Sequence, residues 1–123
     1  MYQKNLSSKD KLAIRRVVER QLQAFQRNDA VTAFSLACPT LQRQLRQPRT
    51  FLEMIKLNYR PIYSPRAVIF EGVIHLQQRP TLQMILMTQA GDLVRGLCIM
   101  QQQADLSWRV AGCQLLPVCM ERR

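Results

Sequence analysis

The stretch "TLQMILMTQAGDLVRGLCIMQQ", residues 81–102, decides the fold of this chain. Two apolar runs flank the segment "QAGD", which supplies a glycine and an aspartate for a tight turn. Apolar positions recur with a period of about two in each run, a spacing typical of β-strands. The stretch therefore predicts two strands joined as an antiparallel hairpin.

The same period extends to both sides of this hairpin. The segments with this pattern are "AVIFEG", "VIHLQQR", "TLQMILMT", "LVRGLCIMQQ" and "LSWRVAGCQL". The short connections between them favour an antiparallel meander. The sequence thus predicts a sheet of about five strands over about residues 66–117.

The first part of the chain has helical spacing instead. Ser7 and Asp10 have the spacing of a capping box, and Asn28 and Asp29 are suited to end that helix and to cap the next one. The apolar stripe between these ends consists of Ile14, Val17, Val18, Leu22 and Phe25. This spacing of three and four predicts a long amphipathic helix.

Two more helices are predicted before the sheet. "AVTAFSLA" forms a short helix, and Pro39 breaks it or starts another turn. In "RTFLEMIKLNYRPIYSP", Thr50 and Glu53 have capping-box spacing, while Pro61 and Pro65 stop the helix. Helices over about residues 8–60 followed by strands indicate the α+β class, as a single domain of residues 1–123.

Composition excludes several classes of protein. No run approaches the roughly 18 apolar residues of a membrane-spanning helix, and no apolar segment follows the charged N-terminus, so neither a transmembrane segment nor a secretory signal is expected. A cytoplasmic location is the default expectation. Four cysteines without a C-x-x-C pair and one histidine predict no metal site, and no cofactor is expected. The glycine-rich nucleotide-binding motifs are absent.

The order of elements resembles the nuclear transport factor 2-like, or cystatin-like, superfamily. The segments "QLQAFQRNDAVTAFSLACPTLQ", "TFLEMIKLNYRPIYSP" and "WRVAGCQL" resemble the bacterial domain of unknown function 4864, and the likeness extends over about residues 9–117. The resemblance implies a cone-shaped fold, with helices packed on one face of a curved sheet, and a homodimer formed through the sheet. Members usually have a glycine in a D-G-x-W turn, whereas this chain reads Asp105-Leu106-Ser107-Trp108.

The superfamily resemblance also implies a pocket between sheet and helices. Its candidate residues in this chain are Tyr59, Tyr63, Glu71 and His75. A carboxylate or imidazole in such a pocket supplies acid–base chemistry when its pKa is shifted towards neutrality. The alternative is that Glu71 and His75 are exposed polar positions on a strand. The resemblance assigns no catalytic residue.

Positive charge is concentrated in the helical half. The formal net charge is +10, and residues 1–66 hold 13 of the 18 lysines and arginines but 4 of the 8 acidic residues. On the first helix, the candidate face for an anionic partner consists of Lys11, Arg15, Arg16, Arg20 and Arg27. A second cluster consists of Arg43, Arg46, Arg49, Lys56 and Arg60.

Such a field attracts an acidic protein, an anionic membrane surface or nucleic acid. Nucleic acid is less favoured because the basic residues do not alternate with aromatic ones that could stack on bases. The alternative is a solvated face without a partner.

The last predicted strand contains one tryptophan and one cysteine. Strict alternation puts Trp108 and Val110 on one face and Cys113 on the other. Trp108 is predicted to anchor the sheet on the helices. Cys113 is not expected to be a nucleophile, because the single histidine is distant in sequence, and Cys98 and Cys113 are expected to pack as small apolar residues.

These features predict a non-catalytic binding or protein-interaction module with a basic helical face. The outer face of the middle strands, with Ile85, Met87, Leu97 and Ile99, is too apolar to be simply wet, which favours a homodimer through the sheet. The alternative function is a small-molecule enzyme of the dehydratase or isomerase type that uses the cone pocket. A pocket in which Glu71, His75 and a tyrosine converge favours the enzyme, and a pocket closed by leucine, methionine and tryptophan favours the module.

Overall fold

Five helices precede four strands in the computed structural model, which describes residues 5–118. The helices are α1 (Ser8–Gln26), α2 (Ala30–Ser35), α3 (Pro39–Leu45), α4 (Pro48–Asn58) and α5 (Arg60–Tyr63). The strands are β1 (Ala67–Leu76), β2 (Arg79–Met87), β3 (Leu93–Gln102) and β4 (Trp108–Pro117). This order confirms the predicted α+β class, with helices first and a curved antiparallel sheet after them.

Helix α1 begins and ends where the sequence predicts. The Ser7 hydroxyl oxygen accepts the Asp10 N–H at 3.0 Å, and the Asp10 carboxylate accepts the Ser7 N–H at 3.1 Å, so the capping box is confirmed. At the other end Asn28 has a φ of 55°, and Asp29 caps α2 by accepting the Thr32 N–H at 3.1 Å. Hydrogen bonds with Thr32 lower the pKa of Asp29, because they stabilise its ionised form.

Prolines set the starts of the later helices. Pro39, Pro48 and Pro61 lie in the first turns of α3, α4 and α5, where a missing N–H costs no helical hydrogen bond. The predicted capping box at Thr50 is wrong, because α4 already begins at Pro48 with Gln47 as its N-cap. Pro61 follows the end of α4, as predicted, and is also the second residue of the short helix α5.

The four strands lie in the order β1-β2-β3-β4, and each neighbouring pair is antiparallel. The structure has four strands where about five were predicted, because "AVIFEG" and "VIHLQQR" form one strand. A bulge at Glu71 lets Phe70 pair with Met84 and Gly72 with Gln83, so β1 continues through it. Gly72 has a φ of 133°, which side-chain-bearing residues rarely adopt.

A second bulge changes which side chains share a face of β4. Cys113 lies opposite Cys98, and Val110 lies opposite Met100, although two residues separate the first pair from the second on β4 and one on β3. Because Cys98 and Met100 share a face of β3, Cys113 shares a face with Val110. The prediction that Trp108 and Val110 lie opposite Cys113 is therefore wrong, since the bulge interrupts the period of two.

The helices cover one face of this sheet. The core on that face includes Leu82, Met84, Leu86, Cys98 and Met100 from the sheet and Ile14, Val18 and Phe25 from α1. Trp108 is 6% exposed and belongs to the same core, in agreement with its predicted anchoring role. The register places Ile85, Met87, Leu97 and Ile99 on the opposite face, which we call the outer face.

Candidate functional site: a basic helical face and an apolar cavity

Helix α1 carries its basic residues in two rows. All five predicted residues, Lys11, Arg15, Arg16, Arg20 and Arg27, are exposed. Arg27 is the C-cap directly after α1. When about 100° of rotation per residue is continued to this position, Arg16, Arg20 and Arg27 fall within about 40° of one another and form the outer basic row. Lys11 and Arg15 are one turn apart on another side of the helix and form the strand-side row.

The strand-side row is engaged with the rest of the molecule. The Arg15 guanidinium lies over the Phe70 ring, 4.7 Å from its centre, and its Nε is 3.5 Å from a carboxylate oxygen of Glu19. Lys11 and Arg15 also line a shallow groove beside β1 that includes Phe70 and Glu71. Part of the charge of this row is therefore compensated within the molecule.

The outer basic row is compensated only in part, since the positive charge of Arg27 contributes to the lowered pKa of the Asp29 carboxyl. Within residues 5–118, Arg16, Arg20 and Arg27 form no ion pair. Three exposed guanidinium groups on one side of a 19-residue helix concentrate positive potential there. This arrangement can hold carboxylates or phosphates of a partner, because each guanidinium offers several hydrogen-bond donors.

An open groove of about 520 Å³ runs beside the outer basic row. Its walls include Ala13, Val17, Arg20, Leu36, Leu106 and Arg109. Leu36 is held at the edge of β4, since the Val110 N–H donates to the Leu36 carbonyl at 2.8 Å. The groove therefore offers two guanidinium groups above apolar walls.

One acidic residue, Asp105, also lines this groove. The Ser107 hydroxyl donates to the Asp105 carboxylate at 2.6 Å, and the Ser107 N–H donates to it at 3.0 Å. These hydrogen bonds lower the pKa of Asp105. The carboxylate therefore stays ionised, and because its charge also interacts with that of Arg109, it offsets part of the positive charge of the two arginines in the groove.

The second predicted basic cluster is exposed as well. Lys56 and Arg60 lie over the ring of Tyr63, at 5.8 Å and 5.4 Å from its centre. These are cation–π contacts, in which the ring face attracts the positively charged group. The cluster is therefore distributed over α3, α4 and α5, unlike the single row on α1.

The four predicted pocket residues have different surroundings. Glu71 lies at the β1 bulge, where Arg95 donates to its two carboxylate oxygens at 3.0 Å and 3.2 Å. His75 is exposed near the end of β1. The hydroxyl of Tyr63 donates to the Asn28 side-chain oxygen.

Tyr59, the fourth of these residues, lines a cavity between the helices and β4. This apolar cavity, of about 150 Å³, is bounded by Leu41, Phe51, Met54, Ile55, Tyr59, Val110, Gly112 and Cys113. Neither Glu71 nor His75 lies on its wall. Sequence reasoning missed most of these wall residues, because they meet only through the packing of α3 and α4 on the bulged strand.

Two thiols lie next to each other at this cavity. The sulfur atoms of Cys98 and Cys113 are 3.9 Å apart, and both are free thiols in the structure. The hydrogen bond with Cys113 and burial raise the pKa of the Cys98 thiol well above its usual value. The sequence predicted packing for both residues but not this pairing, which depends on the β4 bulge.

The described residues contain no cluster of three or more histidine, cysteine, aspartate or glutamate side chains that could hold a metal ion. No helix within residues 5–118 is long and apolar enough to cross a membrane. Cys119 lies outside the described residues.

The family model described as a domain of unknown function (DUF4864) matches residues 7–122. The chain belongs to the DUF4864 family. The match covers the helices, the sheet and both basic rows, and it confirms the resemblance that the sequence motifs indicated. No curated protein and no solved structure matches the chain.

The turn of residues 105–108 lies at the groove beside the outer basic row. Leu106 occupies the position at which the resemblance leads us to expect glycine, and its φ is 72°. The Leu106 side chain is 69% exposed and forms part of the groove wall. A glycine here would leave that part of the wall without a side chain.

Proposed function

We propose that this DUF4864 chain is a non-catalytic interaction module whose outer basic row binds an acidic protein. The observation that carries the proposal is the alignment of Arg16, Arg20 and Arg27, exposed on one side of α1 and without an ion pair among the described residues. Exposed like charges in a row repel each other, and a partner with carboxylates relieves that repulsion.

The adjoining groove supports an acidic protein over nucleic acid. Its apolar wall residues, including Val17 and the exposed Leu106, suit the apolar side chains of an amphipathic segment. Single-stranded nucleic acid is usually held by stacking on accessible aromatic rings. Every aromatic side chain within residues 5–118 is buried or half-buried, so the described surface offers little for such stacking.

The surroundings of the candidate pocket residues support a module over an enzyme. Glu71 is neutralised by a two-point contact with Arg95, and the apolar cavity has no carboxylate or imidazole on its wall. General acid–base chemistry needs such a group within reach of the substrate. The cavity wall instead carries mainly apolar side chains, from leucine, phenylalanine, methionine and isoleucine, together with Tyr59 and Cys113, which supports the module.

The same proposal includes a nuclear transport factor 2-like architecture and a homodimer formed through the outer face. Helices on one side of a curved antiparallel sheet are compatible with that architecture. The outer face carries Ile69, Ile85 and Leu116 in one row across the strands, with Arg95, the partner of Glu71, between Ile85 and Leu116. Ile69 is 65% exposed. Covering this row with a second copy would remove apolar surface from water.

Binding to three anionic probes at two salt concentrations tests the basic face. The probes are a labelled amphipathic peptide of glutamate and leucine, phosphatidylserine vesicles and a single-stranded oligonucleotide. The variant R16Q/R20Q/R27Q removes the row while keeping good helix formers, and R43Q/R66Q/R79Q removes the same charge from exposed positions outside α1.

We expect the peptide to bind most tightly, and its affinity to fall as salt rises. At about 0.5 kcal/mol for each exposed ion pair, loss of the row should weaken peptide binding about tenfold. The control triple variant should bind within about twofold of the unchanged protein. Equal losses in both variants would show that net charge alone acts, and a preference for the oligonucleotide or the vesicles would replace the acidic protein with that class of partner.

A further inference from the structure

Strands β3 and β4 bring two cysteines face to face beside the apolar cavity. Cys98 and Cys113 are directly opposed in the register, and their sulfur atoms are 3.9 Å apart. The arrangement depends on the β4 bulge, since strict alternation from Val110 would turn Cys113 towards the outer face. The bulge thus places the two thiols on the same face of the sheet, next to each other.

The spacing of directly opposed residues is close to what a disulfide requires. Opposed Cβ atoms in an antiparallel pair are about 4.5–5.5 Å apart, and a disulfide places them about 3.5–4.5 Å apart. A small approach of two neighbouring strands, together with rotation of both side chains, therefore brings the sulfur atoms into bonding distance.

The two thiols differ in access. Cys98 is 2% exposed and lies in the core, whereas Cys113 is half-buried and lies on the cavity wall. A cavity of about 150 Å³ with apolar walls admits a small uncharged molecule and excludes a charged peptide disulfide of the size of glutathione disulfide. A reagent entering through the cavity therefore meets Cys113 first.

We propose that Cys98 and Cys113 are a site of oxidative modification, at which a small hydroperoxide such as hydrogen peroxide forms a cross-strand disulfide. In the first step the Cys113 thiolate attacks hydrogen peroxide, which gives Cys113 sulfenic acid and hydroxide. In the second step the Cys98 sulfur displaces the sulfenic oxygen. The S–S bond forms, and the Cys98 proton and the leaving hydroxyl group depart as water.

The raised pKa of Cys98 determines the pH dependence of the second step. In the reduced pair the hydrogen bond with the Cys113 thiol and burial both raise the pKa of Cys98, and burial persists when Cys113 is oxidised. Cys98 therefore enters the second step as a thiol, whereas the thiolate is the stronger nucleophile. Once Cys113 is oxidised, the rate of closure should rise with pH until Cys98 ionises. Sulfenic acid at Cys113 should accordingly accumulate at low pH and give way to disulfide at higher pH.

The experiment uses the full chain with a C119S replacement. Trypsin cleavage after Arg95 and Arg109 releases Cys98 in residues 96–109 and Cys113 in residues 110–122, a peptide that also holds Cys119. Removing Cys119 makes the assignment of a cross-linked peptide unambiguous. The folded protein is treated with hydrogen peroxide or with glutathione disulfide, and the cysteine thiols that remain are alkylated. Mass spectrometry then measures the intact protein and its tryptic peptides.

We expect hydrogen peroxide to produce a species lacking two hydrogen atoms, with residues 96–109 linked to residues 110–122, and dithiothreitol to reverse it. Glutathione disulfide should react at least about tenfold more slowly. C98S should stop at oxidised Cys113, and C113S should form no intramolecular link. Circular dichroism confirms that both variants are folded, and if one is not, C98A or C113A replaces it.

Three results would overturn the proposal. They are linkage of Cys113 to a cysteine other than Cys98, addition of oxygen atoms to Cys113 without a disulfide, and alkylation of Cys98 before Cys113 in the folded protein. The outcome is independent of the basic face, because none of the peptides measured reports on the outer basic row.

Discussion

Leu106 is the residue at which local strain and surface exposure coincide. Its φ of 72° lies in the left-handed region, which costs a residue with a β-carbon about 1–2 kcal/mol. The turn is fixed around it, because the Leu106 N–H donates to Gln103 at 2.9 Å and the Gln103 N–H donates to Ser107 at 2.7 Å. A glycine would adopt this conformation without the steric cost.

We therefore expect Leu106→Gly to raise the free energy of unfolding by about 0.5–1 kcal/mol, allowing for the greater freedom of glycine in the unfolded chain. Urea denaturation measures the change. Leu57→Gly is the matched control, since Leu57 is 77% exposed inside α4 and the same replacement there should cost about 1 kcal/mol. Destabilisation by both replacements would contradict the argument. The same Leu106 variant should weaken binding of the glutamate and leucine peptide if this side chain forms part of its site.

Trp108 is the first residue of β4 and packs the sheet against the helical layer. It is 6% exposed and packs in the core with Ile14 and Val110. Replacement by alanine should lower the free energy of unfolding by about 3–5 kcal/mol, because a large apolar volume is lost from a close-packed region. Trp108→Phe keeps most of that volume and should lose less. Urea melts of the two variants that coincide with that of the unchanged protein would show that the indole is not an anchor.

At the scale of single elements, the sequence predicts best where the signal is local. The capping box of Ser7 and Asp10 and the junction at Asn28 and Asp29 depend on residues within one turn of each other, and both are confirmed. The bulges in β1 and β4 depend on pairing with a neighbouring strand, which no periodicity within one strand reports. This is why one strand was divided in two and why Cys113 was assigned to the wrong face.

In the candidate site, too, the features set by local sequence could be predicted and those set by contacts between distant elements could not. Exposure of the basic residues on α1 follows from the position of its apolar stripe, so the sequence could name all five. Their separation into two rows follows from helical geometry, but the engagement of Arg15 depends on Phe70, which belongs to a distant strand. The apolar cavity requires the packing of α3 and α4 on β4, and the thiol pair requires the pairing of β3 with β4. No short sequence motif predicts either of them.

Net charge is unevenly distributed between the helical half and the sheet. The helical half holds most of the net charge of +10, whereas Glu71 and Arg95 neutralise each other on the outer face of the sheet. With strands about 4.8 Å apart and about 3.3 Å per residue, that face measures roughly 19 Å by 30 Å. Its area of roughly 570 Å² is about 70% of the area of about 800 Å² that each partner contributes to a standard interface.

We accordingly expect the protein to sediment as a dimer at tens of micromolar concentration, through the outer face. I69K/L116K places two cations on that face and should give monomers, because burying an unpaired charge in a contact between copies is costly. V31K/L57K is the matched control, since these apolar residues are equally or more exposed but lie on α2 and α4, and this variant should stay dimeric. A predominantly apolar contact should persist when salt rises, whereas peptide binding to the outer basic row should weaken. A protein that sediments only as a monomer, or a dimer that I69K/L116K leaves intact, would remove the outer face from the interface and leave its apolar row to be explained by another partner.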